Sequence, residues 1–383
     1  MRSTPDSGRR WSGLAANLLL SLASIAVTLL AVEMFVRARS PHIVPSPVVD
    51  GTMVRWGRVF HQSPTGKRLI PNSHVVIHNQ LGRHRRVELR INEIGFRDAP
   101  VAFPKPPNEI RILALGDSIT FAGHLPAPLS YVERLQAHLN RNATSQRFEV
   151  INAGIGDIGL ENEVNLLEDP GLSVEPDLVL VGFYLNDSRP GWGFPNELTN
   201  PGWLRRHSVL ADKFYRSFKL HRWIERQGES RFAWTGAVEK IAWRENRDAF
   251  LEFAEMARFD WGAAWREDTW NVIDREFARI EAMAQEHGFE VLLVVFPVVY
   301  QMRSEFVEDA PQRTLREKAR LLGWDFVDLL PRFREMEAAE LRRGEDRSIL
   351  VDACHPTAET YDEVGRILAR HLEQGLLSKR RGS

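Results

Sequence analysis

From Glu109 onward, short and almost wholly apolar runs alternate with stretches whose apolar residues recur every three or four positions. No other feature restricts the fold as much. Strands without polar alternation must be covered on both faces, and strands separated by helices form a mainly parallel sheet. The strand-like runs are Ile110–Leu115, Phe148–Asn152, Asp177–Phe183, Glu290–Phe296 and Asp325–Leu329. Between and after them, helical spacing spans 129–140, 160–168, 271–287, 312–322 and 357–372. Tyr131, Leu135 and Leu139 share one helix face, as do Ile273, Phe277, Ile280 and Ala284. The expected core is a mainly parallel sheet of five strands covered on both faces.

Two regions stand outside this pattern. Leu14–Val32 is nineteen residues without a charge, long enough as a helix to span about 28 Å, close to a bilayer's hydrocarbon thickness. It is longer than the apolar core of a cleavable signal and runs into Glu33-Met34-Phe35-Val36-Arg37, a poor cleavage site. An uncleaved anchor is therefore expected over residues 1–39. Arg2, Arg9 and Arg10 before it favour a cytoplasmic N-terminus and an exported body, periplasmic or extracellular.

The second region, 188–270, carries eight of the eleven tryptophans: Trp192, Trp203, Trp223, Trp234, Trp243, Trp261, Trp265 and Trp270. It reads as a helical insert whose indoles pack against one another and the sheet, or as a lid over a substrate. The resulting division is 1–39 anchor, 40–107 connecting segment, 108–187 and 271–375 core, with 188–270 inserted. In the connecting segment, His74–His78 and Arg86–Ile91 flank Gln80-Leu81-Gly82 as a hairpin would; no chemistry is evident there.

A net charge of −1 gives no electrostatic basis for a nucleic-acid partner, and one cysteine, Cys354, excludes a disulfide framework. No zinc-type motif or phosphate-binding loop is present, so neither metal nor cofactor is expected. Gly154-Ile155-Gly156-Asp157-Ile158-Gly159 matches the dinucleotide pattern literally. However, it follows the second core strand, and Asp177 stands at the beginning of the next strand, the wrong edge for a ribose.

What remains is nucleophilic chemistry. The first core strand ends in Gly116-Asp117-Ser118, leaving a hydroxyl at the sheet edge where ligands bind in open α/β folds. A serine needs a base, and the base needs orientation; Asp352 and His355, three residues apart, supply both. Singly, Asp117-Ser118 is a helix cap and Asp352/His355 a surface pair. Together, at the ends of successive elements, they form a triad. A tetrahedral intermediate also needs hydrogen-bond donors, and the Ser118 and Gly154 backbone N–H groups and the Asn186 side chain are the candidates. Ser118 lacks the G-x-S-x-G context, because position 120 is threonine. His124 reads as a loop residue.

The chain at this point resembles the SGNH (GDSL) hydrolase family, of the membrane-anchored bacterial kind. Gly116-Asp117-Ser118-Ile119 resembles its first block, Gly154 in Asn152-Ala153-Gly154 its second, and Asp352-x-x-His355-Pro356 its last. Gly182-x-x-x-Asn186-Asp187 resembles the third, with wider spacing than the usual Gly-x-Asn-Asp. Arg90–Asp98 is similar to a segment preceding the core in membrane-anchored members. The resemblance implies a flavodoxin-like three-layer α/β/α sandwich, no metal, and hydrolysis or transfer of ester-linked acyl groups on a glycan, a lipid or another ester. An O-acyltransferase with the same triad and a non-catalytic envelope-binding protein are the alternatives.

Overall fold

The computed structural model describes residues 7–39, 60–63, 65–78, 83–141, 143, 146–156, 158–188, 208, 210, 211, 214, 233–344 and 347–375. The chain divides into two units, Met1–His42 with Asn196–Gly228, and Ile43–Pro195 with Glu229–Ser383.

In the first unit, helix α1 (Ser7–Arg39) extends beyond the expected apolar run at both ends, to within two residues of Pro5 and Pro41 in the sequence. Its stretch Ala15–Val36 is long and apolar enough to cross a membrane, and none of it is buried inside the protein. Near its end the Glu33 carboxylate accepts hydrogen bonds from Ser208 Oγ at 2.8 Å and the Leu210 N–H at 2.9 Å.

The second unit begins with two antiparallel hairpins. Strand β1 (Phe60–Ser63) pairs with β2 (Gly66–Leu69), which the sequence did not signal, and β3 (His74–His78) pairs with β4 (Arg86–Arg90) as expected. The expected turn at 80–82 lies outside the described residues. The core follows: β5 (Glu109–Gly116), α2 (Ser118–Phe121), α3 (Tyr131–Arg141), β6 (Arg147–Asn152), α4 (Leu160–Glu168) and β7 (Leu178–Tyr184). Within the insert lies α5 (Arg247–Met256), and from the insert's end onward come α6 (Trp270–His287), β8 (Glu290–Phe296), α7 (Val299–Arg303), α8 (Ala310–Leu322), β9 (Asp325–Asp328), α9 (Leu330–Leu341) and α10 (Ala358–Gln374).

The five core strands form one parallel sheet in the order β6-β5-β7-β8-β9. Numbered within the core this is 2-1-3-4-5, the flavodoxin-like doubly wound arrangement. Every residue of β5 and β7 is buried, because helices flank the sheet. In this topology the strand order reverses between β5 and β7, and the crevice beyond their carboxyl ends is the natural binding place. Gly116 pairs with Gly182 at that edge.

Helix α9 had no clear amphipathic signature. One of its buried positions is Glu337, which stands in line with Leu330 and Phe333 and breaks the apolar stripe. Its carboxylate accepts from Arg303, Ser348 Oγ and the Ile349 N–H, the last at 2.9 Å. A buried charge satisfied by distant donors leaves no local trace.

Within the insert, Trp192, Trp203 and Trp223 lie outside the described residues. Trp234, Trp243 and Trp261 are buried and pack with Phe250, Phe253 and Tyr300; Trp243 stacks on Phe253 with ring centroids 6.1 Å apart. The single-turn segment Trp261–Trp265 packs against the turn Leu185–Ser188 that follows β7. Residues 233–270 therefore act as aromatic core beside the sheet. Phe250, with no exposed surface, touches Trp261, Trp265 and Phe306. Phe250→Ala is expected to destabilise the protein by about 3–5 kcal/mol, read as a lower denaturation midpoint by tryptophan fluorescence; an unchanged midpoint would mean this cluster does not support the fold.

Candidate active site

The site is assembled from the ends of β5 and β7 and the loop before α10. Gly116 closes β5 with φ of +153°, and a Cβ there would lie 2.1 Å from Thr120 Oγ1, so only glycine fits. The chain then turns into α2, where the Asp117 side chain caps the helix by accepting from the Ile119 N–H at 2.8 Å. The capping reading of Asp117 holds and is compatible with a reactive Ser118: the cap fixes the turn that presents the hydroxyl.

From the far end of the sequence, the loop 350–356 is tied by the Val351 N–H to the His355 carbonyl at 2.8 Å and by an isolated bridge between Leu350 and Pro356. Thr357 caps α10, accepting from the Thr360 N–H at 3.3 Å. So held, His355 Nε2 lies 2.9 Å from Ser118 Oγ, and its Nδ1 lies 2.7 Å from Asp352 Oδ2. The other carboxylate oxygen of Asp352 accepts from the backbone N–H groups of Cys354 at 2.9 Å and His355 at 2.8 Å. With Asp352 accepting at Nδ1, the tautomer that leaves Nε2 free to accept the serine proton is favoured.

Burial alone would raise the Asp352 carboxyl. The hydrogen bond and charge of His355 and the two backbone donors outweigh it and hold the group well below the usual carboxylate range. Burial lowers His355, yet its neighbours Cys354 and Asp352 carry it well above the ordinary imidazole value. Burial pushes the Cys354 thiol up to about 11, so it is neutral at pH 7, and Asp352 is the partner that sustains the upward direction. The same residues bear on metal binding. Asp352, Cys354 and His355 offer donor atoms within 4.8 Å of one another. Binding an ion there would require the thiolate that burial disfavours, and would break the hydrogen bond at His355 Nδ1.

The sequence candidates for oxyanion donors fare differently. The Ser118 N–H opens α2. Asn186 lies 7% exposed in the turn Leu185–Ser188, held by Tyr184 N–H to Asp187 Oδ2 at 2.7 Å and by Ser188 Oγ to the Leu185 carbonyl at 2.7 Å. Gly154 is different. Its N–H donates to Asn152 Oδ1 at 3.0 Å, and a Cβ on it would sit 2.4 Å from the Phe121 nitrogen. It is a glycine because the α2 backbone lies against it, and its donor is already engaged. Two residues on, Gly156 lies beside the serine: a Cβ on it would be 3.9 Å from Ser118 Cβ. Among the described residues the Gly156 N–H donates no hydrogen bond. The signal that could have found it is its place in the same glycine run, one step nearer the α4 helix.

Several supporting residues come from stretches given no role by sequence. His124 is buried, its ring centroid 5.2 Å from that of His355, with Nε2 2.9 Å from the Pro356 carbonyl. Burial pushes it down to about 4, so it stays neutral and donates to that carbonyl, bracing the His355 loop. Arg97 donates to the carbonyls of Phe121 and Leu125 at the end of α2. Asp98 Oδ2 accepts from the Asn152 N–H at 2.7 Å, and burial pushes its carboxyl up to about 7. Asp177 Oδ2 accepts from the Arg111 N–H at 2.8 Å, away from the strands' carboxyl ends, so it does not complete a dinucleotide site. Asp157 lies outside the described residues.

No protein-family model matches the chain, and no curated protein matches it. Among solved structures it is similar to an acetyl xylan esterase, AlAXEase, with 19% identity over 69% of this chain and 100% of that one, at a TM-score of 0.41. It is similar to TesA, with 14% identity over 69% and 98% and a TM-score of 0.38. A lipase/acylhydrolase from Enterococcus faecalis gives 16%, 69% and 96%, with a TM-score of 0.36. The chemistry of the site is read from its own atoms.

Proposed function

We propose that this chain is a serine esterase of the SGNH (GDSL) type, tethered to a membrane by α1 with its catalytic body exported. The observation that carries this reading is the unbroken hydrogen-bond relay from Ser118 through His355 to Asp352, between residues 237 and 3 positions apart. Ser118 Oγ attacks the ester carbonyl carbon while His355 Nε2 takes its proton. Asp352 holds the imidazole and stabilises the imidazolium. The developing oxyanion is held by the N–H groups of Ser118 and Gly156 and the side-chain amide of Asn186, with Gly154 packing behind them. His355 then protonates the departing alcohol, leaving an acyl-serine. Water, deprotonated by His355, attacks that carbonyl; the C–Oγ bond breaks, His355 returns the proton to Ser118 Oγ, and the acid is released. The substrate is a carboxylic ester, and an acylated envelope glycan or a lipid fits an enzyme tethered at the membrane.

The direct test is labelling by an organophosphonate, which needs an activated serine: Ser118 is the expected site, and an unlabelled protein would refute the reading. Asn186→Ala is expected to lower kcat by about 10²–10³-fold with little change in KM, as for other oxyanion donors. A change confined to KM would remove Asn186 from that role.

A further inference from the structure

The β1–β2 hairpin, a segment with no chemistry in its sequence, reaches the neighbourhood of the serine. Lys67 Nζ donates to the Gly156 carbonyl at 2.6 Å and lies 4.2 Å from the centroid of the Phe60 ring. Phe60 in turn meets Phe121 of α2 with centroids 5.8 Å apart. A methyl group placed on Gly156 would touch Ser118 Cβ at 3.9 Å and Phe60 Cζ at 4.0 Å. Gly156 therefore lies between the nucleophile and the hairpin.

The hairpin is not a loose flap. The Lys67 N–H donates to Asn162 Oδ1 at 2.6 Å, and Asn162 Nδ2 returns a bond to the Lys67 carbonyl at 3.2 Å. Asn165 Nδ2 donates to the Thr65 carbonyl at 2.9 Å, and Arg68 donates to the Asn165 carbonyl at 3.0 Å. These contacts fasten β2 along α4, the helix that begins just after the Gly156 loop. Lys67 is thus presented from a fixed backbone, with its stem half-buried.

We propose that Lys67 is a positioning residue of the oxyanion site: its ammonium holds the Gly156 carbonyl while the Ile155 N–H, donated to the Gly116 carbonyl at 3.1 Å, holds the chain on the other side, so the Ile155–Gly156 peptide that carries the Gly156 N–H is restrained from both ends. This rests on the esterase reading above. Glycine has no side chain to restrain its backbone and populates a wide range of φ and ψ. Oxyanion donors act only when aimed before the charge develops, so a glycine donor needs an outside restraint. A hydrogen bond from a cation is shorter and stronger than one from a neutral donor. The same cation adds a favourable field where negative charge will form.

The test uses the full-length protein in detergent, with p-nitrophenyl acetate and a boronic acid that forms a tetrahedral adduct on the serine. Wild-type turnover that vanishes in Ser118→Ala establishes the esterase reading independently, and the Lys67 variants are then scored as ratios to wild type. Lys67→Met should lower kcat by about 10–10²-fold with KM nearly unchanged, and weaken the boronic acid by the same factor as kcat/KM. Lys67→Arg, which keeps a charged donor, should recover most of the loss. A Lys67→Met enzyme within twofold of wild-type kcat would overturn the proposal. So would an effect on KM alone, or equal losses in Met and Arg variants that track a lowered melting temperature.

Discussion

Ser118→Ala is expected to abolish ester turnover, lowering kcat by roughly 10⁴–10⁶-fold, equivalent to about 5–8 kcal/mol of transition-state stabilisation. The substitution removes one oxygen from a position where Ser118 Oγ lies 2.9 Å from His355 Nε2. Nothing else should move, because the cap at Asp117 and the positive-φ glycine at 116 fix the turn without the hydroxyl. The measurement is hydrolysis of a short-chain activated ester by purified protein, with the fold checked by circular dichroism. A folded variant with wild-type turnover would mean another group is the nucleophile. Residual activity a few orders above solvent would be consistent with the reading, since oxyanion donors and binding act without the serine.

Asp352→Asn should cost on the order of 10³–10⁴-fold in kcat, for a different reason. The carboxylate accepts at His355 Nδ1, and asparagine presents either a neutral acceptor or an N–H there, so tautomer and imidazolium both lose their support. The pH profile separates this from simple misfolding. As a base, His355 must be deprotonated, so kcat/KM is lost as pH falls through its pKa. Asp352 holds that pKa above the ordinary imidazole value, so the wild-type acid limb should lie above about pH 6.5. Without the carboxylate the imidazolium is less stable, and the limb of the residual activity should move to lower pH. An unmoved limb would show that Asp352 does not govern His355.

How far the site was legible follows from the kind of interaction at each position. Ser118, Asp352 and His355 were readable because each sits at a local boundary, a strand end or a helix start, that hydropathy and turn residues mark. Asn186 was readable for the same reason, standing two residues after β7. Gly154 was read as a donor, whereas the proposed oxyanion site uses Gly156. Both it and Gly156 are glycines after the same strand; they are distinguished by the Asn152 side chain folded back onto the Gly154 N–H and by the nearness of Gly156 to Ser118. His124 looked like a loop residue because its partner, the Pro356 carbonyl, is 232 positions away. Lys67 left no trace at all, since a lysine on a short polar strand has the same pattern whether it faces solvent or a carbonyl 89 positions ahead.

Helix α9 shows the limit from the other side. Its Glu337 occupies a core position, so the periodicity that marks helices was interrupted by a group whose burial is tolerable only with distant donors in place. The insert was half legible. Its tryptophans pointed to a packed cluster, which residues 233–270 form, while Trp192, Trp203 and Trp223 lie outside the described residues.

The sequence by itself determined the order of the five core strands and of five of the core helices, the doubly covered sheet, the long apolar N-terminal helix and the three polar residues at element boundaries. Those follow from hydropathy and turn chemistry, which act between neighbours in the chain. Only the tertiary structure decided which glycine lies beside the serine, that His124 braces the base's loop, and that a hairpin from the connecting segment touches Gly156. Each depends on hydrogen-bond partners far apart in sequence, and direction in a hydrogen bond is set by three-dimensional placement rather than by the pattern of apolar and polar residues.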